Sequence, residues 1–178
     1  GIVNISKDSF FDGGQYDTID KVNKQVSKLI SNGADIIDLG AASSKPGSKL
    51  IKPEDEFNLI YNYINELTSN FSKVLFSIDT YNSSVADFAL SKGFSLVNDI
   101  SSGKYDKNMF QVIKKHNAGY IMMHMKGDPI NMQENINYDN VVDSIISFFK
   151  LKIQELEKLG FSNIIIDPGF GFGKSIDD

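Results

Sequence analysis

Apolar residues in this chain come in short blocks, and each block stops at a polar side chain. Six such runs end at Asn4, Asp38, Asp79, Asn98, His124 and Asp167. The segments between them carry helical spacing, so the chain reads as strand, polar tip, helix, repeated. Residues 1–5 form the first expected strand, followed by a polar loop from Ser6 to Tyr16 that holds Gly13-Gly14. Asp17 or Thr18 can cap a helix that buries Ile19, Val22, Val26, Leu29 and Ile30 and ends at Gly33. Asp35 to Gly40 is the second strand, and Pro53 suits the first turn of a helix burying Phe57, Ile60, Ile64 and Leu67. Val74 to Ile78 is the third strand; Val85, Phe88 and Ala89 mark the helix after it, closed by Gly93. Phe94 to Val97 is the fourth strand, Met109 to Lys115 is helical, and Gly119 to Met123 is the fifth strand. A long helix from Asp139 to Leu159 turns Val142, Ile145, Phe149, Ile153 and Leu156 inward, before a sixth strand over Ile164 to Ile166.

The strands are continuous runs of Ile, Val, Leu and Phe. Such strands are buried on both faces, which predicts a parallel α/β sheet wrapped by helices. An open sheet of six strands would spread its tips over ~24 Å at ~4.8 Å per strand. If the tips share one small ligand, a closed barrel is required. The expectation is therefore an α/β fold of the (β/α)8 TIM-barrel type, with its chemistry at the carboxyl ends of the strands. A full barrel usually takes ~250 residues. Residues 1–178 are therefore expected to form one barrel domain, truncated to about six βα units and incomplete at the C-terminus. A start at Gly1 without methionine suggests a trimmed amino end as well.

Composition narrows the function classes. A formal net charge of −5 argues against a nucleic-acid surface, and no apolar run is long enough to span a membrane. The absence of cysteine excludes disulfides and thiolate metal sites and fits a reducing compartment, and two histidines, His116 and His124, make a zinc centre a poor fit. Lys7, Lys45, Lys126 and Lys174 lie near strand ends, each readable as a solvated lysine and together as a rim that could hold an anion.

The segment Asp167-Pro168-Gly169-Phe170-Gly171-Phe172-Gly173-Lys174-Ser175 has the close of a phosphate loop, but Pro168 stands where the first glycine of that pattern belongs. A dinucleotide fingerprint fails too, because Lys174 replaces its third glycine. An acidic strand tip with a small-residue turn remains, able to bring backbone close to a ligand. Asp38 and Asp79 each close an apolar strand, where a carboxylate must be solvated, paired or hydrogen-bonded. Capping of the next helix is the plain alternative for both, and a turn is the plain alternative for Asn98-Asp99. His124 reads as a hydrogen-bonded rim histidine.

The order of these motifs is more specific than any one of them. Asn4-x-Ser-x-Asp-Ser-Phe with Asp12-Gly13-Gly14 resembles the first loop of dihydropteroate synthase, in the pterin-binding barrel family. Ala34 to Gly40 with Ser43-Ser44-Lys45-Pro46-Gly47, Ser77 to Thr80, Val97 to Ile100, Met123 to Pro129 with Asn131-Met132-Gln133, and Asp167 to Lys174 are similar to its later motifs. The resemblance runs from the first residue to the last.

This resemblance implies a transferase of folate synthesis. It would join 4-aminobenzoate to 6-hydroxymethyl-7,8-dihydropterin diphosphate and release pyrophosphate. Asp79, Asn98 and Asp167 would hold the pterin ring, with Met122 packed on its face. Asn4 would help place Mg2+ on the diphosphate, Ser44 would contact that diphosphate, and Lys45 stands where the family carries a loop arginine. Phe10 and Pro46 would wall the aminobenzoate site. Small-molecule substrates, a homodimer, a cytoplasmic location and no nucleic-acid or membrane partner complete the implied picture. No general acid or base is called for.

The chain departs from the family at Lys7 (usually proline), at Ala41-Ala42 (usually Gly-Glu) and at Ser44-Lys45 (usually Thr-Arg). Lysine keeps the charge and loses the planar fork of arginine. This loop is more similar to the sulfonamide-insensitive branch, and drug discrimination is expected to differ accordingly. The alternatives are a methyltetrahydrofolate-binding methyltransferase barrel and a non-catalytic pterin-binding domain.

Overall fold

The structure, a computed structural model, describes residues 1–5, 19–41, 47–133 and 136–175. Its elements follow in strict alternation: β1 (Ile2–Asn4), α1 (Ile19–Ser31), β2 (Ile36–Gly40), α2 (Pro53–Asn70), β3 (Leu75–Asp79) and α3 (Ser83–Ser91) come first. Then come β4 (Leu96–Asp99), α4 (Met109–His116), β5 (Gly119–Met123), α5 (Val141–Lys158) and β6 (Ile164–Asp167). All pairings are parallel and the sheet order is β1-β2-β3-β4-β5-β6. No strand is skipped and the direction never reverses. Right-handed crossovers always taken in the same sense put every helix on one face of the sheet. A doubly wound sheet reverses its order and so clothes both faces. The fold is thus of the TIM-barrel type, with six strands and the five helices that connect them among the described residues.

Side-chain alternation makes the two faces distinct. Ile37, Leu39, Phe76, Ile78, Val97 and Tyr120 point to the helical side and are sealed in one core. The helices meet them with tracks spaced by three or four residues, such as Val22 and Val26 of α1 and Ile60, Ile64 and Leu67 of α2. Each such side chain contributes roughly 1.5–3 kcal/mol by leaving water. On the opposite face Ile2 of β1 is 67% exposed and Ile165 of β6 46%, while Ser77, Leu96 and Met123 of the middle strands are buried.

The expected elements are all present, with shifted ends. Strand β4 starts at Leu96, two residues later than expected, because Phe94 still belongs to the close of the preceding helix through its N–H bond to Ala89 O at 3.1 Å. Asn98 and Asp99 are therefore strand residues, not a turn. Val142 corrects an expectation: it is 58% exposed. Its place on the helical period is right, seven residues before the buried Phe149, but the first turn of α5 reaches out to the loop after β6. Periodicity gives direction and is blind to where the covering element ends.

Candidate functional site

Register places the polar tips in one row. Asn4 pairs with Gly40, Gly40 with Asp79, and Asp79 with Asn98, so four neighbouring strands end level and point these side chains to the inner face. On β6, Asp167 pairs with Met123 of β5. Gly40 is the gap in the row. A β-carbon there would lie 3.1 Å from Asp79 Oδ2 and 3.2 Å from Asn4 Oδ1, which shows how closely those two oxygens converge. One layer deeper, Asn98 Nδ2 donates to Asp38 Oδ2 at 3.0 Å, although β3 lies between their strands. Backbones two strands apart are ~9.6 Å distant in a flat sheet. Concave curvature brings these two side chains together.

The site is rich in acceptors. Burial pushes the Asp79 carboxyl well above its ordinary value, and the negative charges of Asp38, Glu56 and Asp99 push it further. Asp38 Oδ1 is buried and has no hydrogen-bond partner among the described residues. A row of carboxylates and an amide in a half-dry concavity suits a ligand that brings several N–H donors of its own.

The loops after β5 and β6 are locked together. Gly169 N donates to Asp167 Oδ1 at 2.8 Å, and His124 N to Asp167 O at 2.9 Å. Gly169 holds φ at +67°, and a β-carbon there would fall 2.2 Å from His124 O, so only glycine fits this approach. Lys174 is buried, and its ammonium donates to His124 O at 3.0 Å, Gly169 O at 3.0 Å and Phe172 O at 3.1 Å. Lys126 donates to Asn137 O and lies 4.2 Å from the centre of the Tyr138 ring. Of the four lysines that could together hold an anion, these two donate to backbone carbonyls. Lys7 and Lys45 lie outside the described residues.

Met122 also needs correction. It pairs with Asp99 and is sealed in the core on the helical side of β5. Met123, its neighbour, pairs with Asp167 and has the parity of the inner face. The sequence offered two adjacent methionines and no means of choosing between them. Phe10, Ser44, Lys45 and Pro46 lie outside the described residues. Asn4, Asp79 and Asn98 end level on neighbouring strands, and Asp167 lies on the same inner face of β6, two residues beyond their level.

His124 has the outer parity, is buried, and packs edge-on against Phe148 of α5 with ring centres 5.1 Å apart. Burial, then the charges of Lys174 and Lys126, lower its pKa from 6.5 to about 4. It stays neutral in the folded protein while the unfolded chain takes up a proton, so stability is expected to fall as pH drops from 6.5 towards 4. Melting temperatures of wild type and His124→Gln, compared across that range, should diverge in this direction; parallel curves would refute it.

Asp99 was readable only as part of a turn, yet it organises the loop after β4. Fully buried, it accepts from Ser101 N (2.8 Å), Ser101 Oγ (2.7 Å), Gly103 N (2.9 Å) and Tyr120 Oη (2.8 Å). Ser102 Oγ in turn donates to Met123 O at 2.9 Å. Its only signal in the sequence was its place beside Asn98.

Fold and site together define a TIM-barrel-type α/β protein whose polar groups gather at the carboxyl ends of its strands. The family described as pterin binding enzyme matches residues 1–178. A dihydropteroate synthase of Clostridium beijerinckii is 38% identical over 179 residues, covering 99% of this chain and 64% of that protein. The mitochondrial folate synthesis bifunctional protein of Arabidopsis thaliana is 39% identical over 183 residues, covering 99% of this chain and 33% of its own length. Among solved structures, the Yersinia pestis dihydropteroate synthase in a sulfonamide drug complex superposes with a TM-score of 0.92 at 32% identity, covering 99% of this chain and 64% of that one. The chain belongs to the pterin-binding enzyme family. It spans about a third to two thirds of the length of these relatives. Among the described residues, no helix is long and apolar enough to cross a membrane.

Proposed function

We propose that the protein of which these residues form a barrel domain is a dihydropteroate synthase. It condenses 6-hydroxymethyl-7,8-dihydropterin diphosphate with 4-aminobenzoate to give 7,8-dihydropteroate and pyrophosphate. The observation that carries this reading is the level row Asn4, Gly40, Asp79, Asn98, with Asp167 on the same inner face. Asp79, Asn98 and Asp167 hold the donor-rich edge of the pterin, and Met123 takes the ring contact first assigned to Met122. Ser44 and Lys45 meet the diphosphate, and Phe10 and Pro46 flank the aminobenzoate.

The chemistry is substitution at the exocyclic methylene. The carbon–oxygen bond to the diphosphate breaks with its electron pair leaving on pyrophosphate, and the cation left behind is spread into the pterin ring. The arylamine nitrogen then bonds to that carbon and loses a proton to solvent. The protein's task is positioning and charge placement, which fits a site whose one nearby histidine is neutral and faces away. Asn4 offers one hard amide oxygen, which suits Mg2+ because that ion keeps few protein ligands beside substrate phosphates and water. When bound, the ion offsets charge on the departing diphosphate. A cytoplasmic homodimer is the proposed setting.

The test is direct. The complete protein, given the pterin diphosphate, 4-aminobenzoate and Mg2+, should release pyrophosphate and form dihydropteroate in equal amounts. Pterin binding without product would favour a non-catalytic domain, and methyl transfer from methyltetrahydrofolate would overturn the reading.

A further inference from the structure

Glu56 is the one fully buried acidic residue of α2, and no part of the proposed chemistry uses it. It sits in the first turn of that helix, where an exposed carboxylate would suffice to satisfy the helix dipole. Instead the side chain turns inward to the segment after β3. Its Oε2 accepts from Thr80 Oγ1 at 2.9 Å and from Asn82 Nδ2 at 2.5 Å. Thr80 Oγ1 also accepts from Asn82 N at 3.0 Å, which closes a tight knot directly behind Asp79. Thr80 N donates to Asn98 O at 3.0 Å, so the same knot reaches the next strand of the site. Burying a carboxylate costs several kcal/mol. Capping, the ordinary use of a polar side chain at this end of a helix, is not what this one does.

We propose that Glu56 is a positioning residue for ring recognition: it anchors Thr80 and Asn82, and thereby fixes the direction of Asp79 and its spacing to Asn98. The proposal rests on the pterin-binding reading of that row. Its geometry specifies which property matters. Both bonds are accepted by a single oxygen, so an amide oxygen in the same place can accept both, and the second carboxylate oxygen, buried without a partner among the described residues, can become an amide nitrogen. Glutamine should therefore preserve the anchor, and leucine, of similar size, should abolish it.

The experiment measures binding of 6-hydroxymethylpterin by calorimetry and the KM of each substrate, in the complete protein. Glu56→Leu is expected to weaken pterin binding about tenfold or more, the scale of a lost hydrogen bond to a charged group. The KM for 4-aminobenzoate should stay within about twofold, and Glu56→Gln should bind pterin within about threefold of wild type. Thr80→Val, which keeps the shape and removes the hydroxyl that donates to Glu56 and accepts from Asn82 N, should fall between them and serves as the test if the leucine variant does not fold. Pterin affinity unchanged in Glu56→Leu, or in Thr80→Val where that variant must be used, overturns the proposal, as does equal loss for both substrates. Should wild type itself fail to bind the pterin, the reading of the row fails, and with it the task assigned to Glu56.

Discussion

Asp79→Asn is expected to weaken pterin binding by about 2–3 kcal/mol, roughly 30- to 150-fold, with little change in melting temperature. Asp79 lies at the centre of the row, between Gly40 and Asn98, with burial and three neighbouring carboxylates disfavouring its charge. A ring that brings N–H donors relieves that situation, since bonds to an ionised acceptor are about twice as strong as neutral ones. Asparagine keeps the shape and one acceptor, removes the charge, and presents two N–H groups to a ligand edge made of donors. Asp167→Asn should cost less, because Asp167 Oδ1 already serves Gly169 N. Calorimetry on the three proteins checks both statements. Equal affinity for wild type and Asp79→Asn would sink the assignment of this strand tip.

The second large effect concerns stability. Asp99→Ala should cost about 3–5 kcal/mol, because it orphans several buried donors at once. These are the N–H groups of Ser101 and Gly103 and the hydroxyls of Ser101 and Tyr120. For a domain of this size the melting temperature should drop by roughly 10 °C. Tyr120→Phe removes a single donor and leaves Asp99 three others, so about 1 kcal/mol is expected. Chemical denaturation of both variants tests the ordering. A cost for Asp99→Ala no larger than for Tyr120→Phe would show that the loop after β4 has another anchor.

What could be read without coordinates was whatever depends on short sequence separations. Helical tracks such as Ile60, Ile64 and Leu67 announce themselves by spacing, and continuous apolar runs ending in Asp79 or Asp167 announce parallel strands with polar tips. Those runs predicted about six βα units, and the described residues show six parallel strands with five helices between them. Errors arose where one residue decides between two faces. Met122 and Met123 are chemically identical, and a strand seen alone has no inside. Only pairing with β4 and β6 assigns Met123 to the side of Asp167. Lys174 is a second case: beside glycines it resembled an anion ligand, yet three carbonyls from two loops claim its ammonium.

The chain's own pattern determined the order of elements, the parallel sheet and the residue types at each strand end, because these follow from backbone periodicity and the cost of burying polar groups. Tertiary structure alone decided which tips come within reach of one another. Asp38 and Asn98, sixty positions apart, touch because the sheet curls inward. Glu56 acquired a task only when α2 folded against the end of β3. Curvature and register are properties of several strands at once, and a single strand's residues carry no record of them.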